Sequence, residues 1–546
     1  MAPIAYPHKF REVSCFLFSN NIHYLILNRM LNIDNILYNL IIYKAFKMEL
    51  TKIIETKSGK VRGCIDEGVE IYKGIPYAKA PVGDLRFREP HPKEPWDDVK
   101  DCIKFGHIAP QNQQDDPKID IPEEEDCLYL NIWTPGSDDK KRPVMVWIHG
   151  GGYLIGAGSR PRSDGTRLAS YGDVVVISFN YRIGVLGFLN VPGIPANLGI
   201  RDQVAALKWI KENIKEFGGN PNNITIFGES AGGQSVTILL AVPSAKNLFH
   251  KAIVQSGNAN PRDFKPERSR EGANELLKKL NIDMGNLNEL RKIPLEKLIR
   301  LQRKIAGNIL SVKDSPFWPF IDGKFLPKQP IEIFREENNN QIPIIIGYNE
   351  NELGFLSEIL KNAGGLKRNL ILKYVHSNIR KSGINKKDLD NLISTYSEKF
   401  KRDFPNNPFL FWDAILSDSM FKIPIIRQLE AQTHNQSRIY CYEFSYKSPK
   451  FGFALHTFEI PFVFNTLDKN DVADGAIEIN EDSKKLTKIV MDTWISFART
   501  GNPDNERIPS WPNYDLEKRS IMKLSIDPIV METNENPLFK IWEEIL

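Results

Sequence analysis

Five short runs, Val144–Ile148, Val174–Ser178, Ile224–Phe227, Ala252–Val254 and Ile342–Ile346, are apolar almost throughout instead of alternating with polar residues. A strand apolar on both sides has both faces covered, the condition of central strands in a parallel sheet flanked by helices. Arg438–Phe444 reads as a later strand. Helical spacing marks Val204–Ile214, which leads into the turn Phe217-Gly218-Gly219-Asn220-Pro221, and Thr487–Arg499, which Gly501 and Pro503 end. The pattern predicts an α/β fold, a large, mostly parallel central sheet with helices on both faces. Two long polar stretches, Arg268–Ala306 and Leu356–Phe400, read as helical insertions that lie over a site or decorate the fold.

One of these runs carries chemistry at its end. Ile224–Phe227 feeds Gly228-Glu229-Ser230-Ala231-Gly232 and then the helical Gly233–Leu240. A G-x-S-x-G turn between a strand and a helix lifts the serine hydroxyl out of the sheet, and the first helical amides face a developing negative charge. A serine becomes a nucleophile only when a base takes its proton and donors hold the oxyanion. The donors are readable: Val144–Ile148 runs into His149-Gly150-Gly151-Gly152-Tyr153, roughly 80 residues before the serine. Glycine lets the backbone approach a ligand and turn its N–H groups inward, so Gly151, Gly152 and Ala231 are the expected oxyanion donors.

The rest of the composition excludes other classes. Net charge is +4 over 546 residues with basic and acidic side chains interspersed, which gives no nucleic-acid surface. Cys15, Cys64, Cys102, Cys127 and Cys441 fit no zinc or redox spacing, and no H-E-x-x-H helix occurs. In an oxidising compartment Cys102 and Cys127 would close a modest loop. The first 47 residues are rich in Asn, Ile, Leu and Tyr, with polar residues interrupting each apolar run. They make neither an export signal nor a spanning helix, so no stable membrane insertion is expected. The expectation is a true start at Met48, residues 1–47 being disordered or outside the mature protein, and 48–546 a single domain in the cytoplasm. Secretion is the alternative, in which Asn223 and Asn435 would be glycosylation acceptors.

Ordered stretches along the chain resemble the type-B carboxylesterase/cholinesterase family of α/β-hydrolases. They are Gly74-Ile75-Pro76-Tyr77-Ala78, Pro81–Phe87, Glu125–Trp133, Asn180-Tyr181-Arg182, Asn197–Gln203, Gln255-Ser256-Gly257 and Phe497–Pro503. The resemblance covers nearly everything after residue 50. It implies serine, acid and histidine in that chain order. His456, in His456-Thr457-Phe458-Glu459-Ile460-Pro461-Phe462, is then the base that takes the Ser230 proton and returns it to the leaving alcohol. Glu352 falls at the acid position, with Glu350 its neighbour and rival, and Leu353 stands where the family usually has glycine. Glu229 orients water or the pocket wall, or makes a structural hydrogen bond. Ser417-Asp418 resembles a pair that supports the site.

The reaction implied is hydrolysis of small-molecule carboxylic esters through an acyl-enzyme, with no metal or organic cofactor. Activity is expected to fall as pH drops through the imidazole range near ~6.5. No tryptophan lies between Cys102 and Cys127 to stack on choline, which favours a general carboxylesterase similar to the para-nitrobenzyl esterases. A lipase with a lid is the runner-up, and a non-catalytic neuroligin-like adhesion protein is the reading from another class. Oligomeric state is not encoded in any of these patterns.

Overall fold

The computed structural model describes residues 48–546 apart from 112–119, 261, 307–314, 337–340, 355, 381–383, 404, 408, 436–437, 470–475 and 546. The chain divides into two compact units, Met1–Glu49 and Leu50–Leu546. The expected N-terminal extension, 1–47, lies outside the described residues.

From Cys64 onward one large sheet is built from β1 (Cys64–Asp66), β2 (Val69–Pro76), β3 (Tyr129–Thr134), β4 (Arg142–Ile148), β5 (Val175–Phe179), β6 (Gly219–Glu229), β7 (Lys251–Gln255), β8 (Ile344–Asn349), β9 (Ile439–Phe444), β10 (Ser520–Leu524) and β11 (Ile529–Glu532). Their spatial order is β1-β2-β3-β5-β4-β6-β7-β8-β9-β10-β11. The strands from β5 across to β10 pair in parallel, and antiparallel pairs flank them on either side. Ile54–Thr56, Gly59–Arg62 and Trp96–Asp101 form a separate small sheet.

The non-alternating strands have the expected cause. Val144, Val146 and Ile148 of β4 pack on one side with residues of α1 (Leu198–Asn213) and α2 (Ala231–Ala241). Met145 and Trp147 of the same strand pack on the other side with the late helix Glu481–Thr500. Successive side chains point to opposite faces, and here both faces are core.

The boundaries moved for local reasons. The strand read from Ile342 starts at Ile344, because Pro343 has no N–H to donate and only its carbonyl joins the ladder, accepting from Ala252 at 3.1 Å. Helix α1 begins at Leu198, six residues before Val204, where Asn197 turns with φ +57° and clasps the backbone of Phe320 through two hydrogen bonds of 2.8 and 2.9 Å. The helix read from Thr487 starts at Glu481 behind a capping box made by Asn480 and Ser483. Four of the family-like stretches act as structural locks. Arg182 grips Asp202 with two hydrogen bonds of 2.8 and 2.7 Å, both side chains being buried, and Arg86 pairs with Glu125. Removing one partner of such a buried pair strands a charge, which costs about 3–5 kcal/mol. Cys64, Cys102, Cys127 and Cys441 are buried free thiols, so the loop between Cys102 and Cys127 is not closed by a bridge.

Candidate active site

The site lies where β4, β6, β7 and β8 end. Ser230 joins β6 to α2 with φ +57° and ψ −121°, a conformation a non-glycine residue adopts only when its surroundings impose it. The imposition is visible. The Ser230 amide donates to the carbonyl of Gln255 at 2.9 Å, and its carbonyl accepts from the Gln234 amide at 2.8 Å. A side chain at Gly232 would put its Cβ 2.0 Å from the carbonyl oxygen of Ile148, and one at Gly228 would meet the Gly232 backbone at 2.7 Å. The glycines are there because strand and helix backbones nearly touch.

The glycine loop after β4 lies against this turn: a Cβ on Gly150 would sit 2.5 Å from the Glu229 carbonyl and 3.1 Å from the Ser230 Cβ. Gly151 and Gly152 have φ +110° and +61°, which favours glycine. Among the described residues the amides of Gly151 and Gly152 donate no hydrogen bond, and the amide of Ala231, first in α2, finds no acceptor within its own helix. His149 anchors the loop rather than adding a second base. It is buried, stacked on Tyr181 with ring centroids 4.3 Å apart, and its Nδ1 lies 2.9 Å from the Gly150 carbonyl. Burial lowers it to about 4, so it is neutral at pH 7.

Glu352 and His456 meet because the β8–β9 ladder continues into their loops. Asn349 pairs with Phe444, the Glu350 amide donates to the Phe444 carbonyl at 2.9 Å, and the Asn351 amide donates to Ala454 at 3.0 Å. The His456 amide then donates to the Glu352 carbonyl at 3.2 Å, and the side chains join with Nδ1 to Oε2 at 2.7 Å. The other oxygen, Oε1, accepts from Ser256 Oγ at 2.7 Å and from the Asn349 amide at 2.8 Å. Glu350 points elsewhere, accepting from Ser445 Oγ at 2.8 Å, with Lys523 Nζ at 3.3 Å. Leu353 is absent from the residues with positive φ, and its amide donates to Ser417 Oγ at 3.1 Å. The loop therefore has a shape that leucine adopts freely, and Ser417 supports it.

Sequence reasoning missed three neighbours. Ser256 was quoted only as part of a motif. The Phe421 ring lies tilted against the His456 ring, with centroids 5.0 Å apart. Glu459 is buried between Gln255 and Asn349, which donate to it at 3.0 and 2.7 Å. Glu229 is the fourth point. Its Oε1 lies 3.1 Å from Nε2 of His456, outside hydrogen-bonding geometry, and no hydrogen-bond partner meets that buried oxygen among the described residues.

Buried carboxyls thus surround one imidazole. Burial pushes Glu229 up to about 8, with His456 opposing and Glu459 and Glu352 adding to the rise. Burial alone would disfavour the imidazolium, yet the charges of Glu229 and Glu352 outweigh it and raise His456 to about 9. Glu229 and His456 are close enough to titrate as a pair. The pair holds a proton more tightly than a free imidazole.

A mostly parallel sheet in this order, with a serine at a strained strand-to-helix turn and a histidine–carboxylate pair beside it, defines the α/β-hydrolase class. The carboxylesterase family model matches residues 50–542. A para-nitrobenzyl esterase of Bacillus subtilis is 37% identical over 488 residues, 87% of this chain and 94% of its own length. Mouse carboxylesterase 1D is 33% identical, with 90% of this chain and 93% of that protein aligned. A carboxylesterase of Geobacillus stearothermophilus superposes with a TM-score of 0.77 at 35% identity, covering 91% of this chain and all of that one. The chain belongs to the carboxylesterase family, and its activity is that of a serine carboxylic ester hydrolase. No helix among the described residues is long and apolar enough to cross a membrane.

Proposed function

We propose that Ser230, His456 and Glu352 perform this hydrolysis, with Gly151, Gly152 and Ala231 as the oxyanion donors. The observation that carries the assignment is the 2.7 Å bond from His456 Nδ1 to Glu352, which leaves Nε2 facing the elbow residue Glu229. His456 takes the Ser230 proton as Oγ attacks the ester carbonyl, and the carbonyl oxygen collects negative charge in front of the glycine-loop amides. Collapse expels the alcohol, which receives the proton from His456 and leaves Ser230 acylated. Water, deprotonated by the same imidazole, then releases the acid and restores the serine. Glu352 fixes the tautomer that leaves Nε2 unprotonated, and both Glu352 and Glu229 stabilise the imidazolium formed in each half.

The substrate reading is a small carboxylic ester with apolar acyl or alcohol parts; the name of the para-nitrobenzyl esterase relative and the family match support it. Buried free thiols at Cys64, Cys102, Cys127 and Cys441 support a reducing, cytoplasmic setting. An organophosphate probe followed by peptide mapping tests the nucleophile: the label is expected on Ser230, with Ser230→Ala losing on the order of 10⁵-fold in kcat. A label on another residue, or a Ser230→Ala variant that retains activity, refutes the assignment. Rates on short against long acyl p-nitrophenyl esters separate esterase from lipase, the short chains being favoured here.

A further inference from the structure

Helix α3 (Gly365–Arg380), in the second insertion, is apolar on two opposite sides. Val375 and Ile379 are buried in the core, at 3% and 1% exposure. Half a turn around the axis, Leu366 and Leu370 stand in solvent at 80% and 60%. These two leucines are spaced i, i+4, so they form one stripe, and Lys373 at i+7 continues it. Ile359, on the preceding helix Leu356–Asn362, is also exposed, at 39%.

The segment that carries this stripe is basic along its own sequence, while Asp390 of the following helix Lys386–Asp403 acts on His376. Between Glu358 and Asp388 the sequence holds eight lysines and arginines and no acidic residue, whereas the chain as a whole is nearly balanced at +4. Lys361, Lys367, Lys373, Lys386 and Lys387 are exposed. Arg368 is used internally: its guanidinium caps the preceding helix by donating to the carbonyls of Leu360 and Ala363 at 2.9 and 3.0 Å and lies over the Phe409 ring. The leucine stripe is therefore carried on a helix braced against the fold, in a segment rich in exposed lysines, with Lys373 on the stripe itself.

Exposed leucines on a rigid helix are costly in water, and lysines alone would suit any polyanion. Together they match one surface, an anionic lipid bilayer, whose headgroups attract the lysines while its acyl boundary takes the leucines. We propose that the Leu366–Lys373 face docks this protein reversibly on anionic lipid surfaces, lying on the membrane without spanning it. This docking is independent of the residues assigned to ester hydrolysis.

Co-sedimentation of the full chain with large unilamellar vesicles tests it, using phosphatidylcholine alone or with about one-third phosphatidylglycerol. Wild-type protein is expected to sediment with the anionic vesicles, to be released by raised salt, and to bind neutral vesicles at least about tenfold less. Leu366→Asp with Leu370→Asp, and separately Lys367→Glu with Lys373→Glu, are expected to lower the partition by about tenfold or more. Both should hydrolyse a soluble short-chain ester at the wild-type rate, which shows that they are folded. Wild-type protein that ignores anionic vesicles, or variants that bind as well as wild type, overturns the proposal. So does analytical ultracentrifugation showing a wild-type dimer that Leu366→Asp with Leu370→Asp dissociates, because the stripe is then an interface between two copies.

Discussion

The two halves of the proposed active site are held by different forces. The elbow and glycine loop, Ile148–Gly152 with Gly228–Gly232, are shaped by close backbone contact, where one added carbon at Gly232 would meet an oxygen at 2.0 Å. The acid–base half joins β7, β8 and the loop after β9 through oriented hydrogen bonds that converge on Glu352, which accepts from Ser256 and Asn349 on one oxygen and from His456 Nδ1 on the other. Sterics fix the first half and leave almost no alternative sequence. Hydrogen bonding fixes the second, where several side chains share the work and single losses are graded.

Substitutions should reproduce that contrast. Glu352→Gln removes the charge on which the imidazolium depends and is expected to lower kcat by roughly 10³–10⁴-fold, while Glu350→Gln stays within about twofold; steady-state kinetics on p-nitrophenyl acetate compare them. On the steric side, Gly232→Ala forces Ile148 and the elbow apart. It should cost about 3 kcal/mol, seen as a lowered melting temperature together with lost activity. A smaller effect belongs to Ser256→Ala, which removes one of two donors to Glu352 Oε1 and should lower kcat by roughly tenfold with KM nearly unchanged. The smallest loss at the optimum, but a clear displacement of the profile, is expected from Glu229→Gln. His456 must be unprotonated at Nε2 to act, and the Glu229 charge raises its pKa, so activity in wild type falls with falling pH from well above ~6.5. Without that charge the acid limb of kcat/KM moves to lower pH. An unmoved limb shows that Glu229 does not share a proton with His456.

The same contrast explains what the sequence made legible. Steric constraints leave contiguous signatures, so the elbow and His149-Gly150-Gly151-Gly152 were readable as turns with a stated chemistry. The two-sided apolar strands likewise announced a sheet buried on both faces. His456 and Glu352 were placed through family resemblance, since nothing local distinguishes a glutamate hydrogen-bonded to histidine from Glu350, two residues earlier. Ser256 and Glu459 acquire meaning only from partners roughly 100 to 200 residues away, as in the Ser256–Glu352 and Gln255–Glu459 bonds. Periodicity also failed at polar ladder ends: β6 extends back to Gly219 through Asn220-Pro221-Asn222-Asn223, which no hydrophobic pattern marks. The position of Glu229 beside His456 depends on how two loops meet, and a linear pattern holds no record of that.

The bond between His456 and Glu352 closes a segment of 104 residues, while the elbow forms within a single strand–turn–helix unit. Bringing distant chain ends together is paid in loop-closure entropy before any contact rewards it. Esterase activity is therefore a reporter of a non-local assembly. On refolding from denaturant, helical circular dichroism should recover first and hydrolysis last, with the lag set by the docking of the His456 loop onto β8.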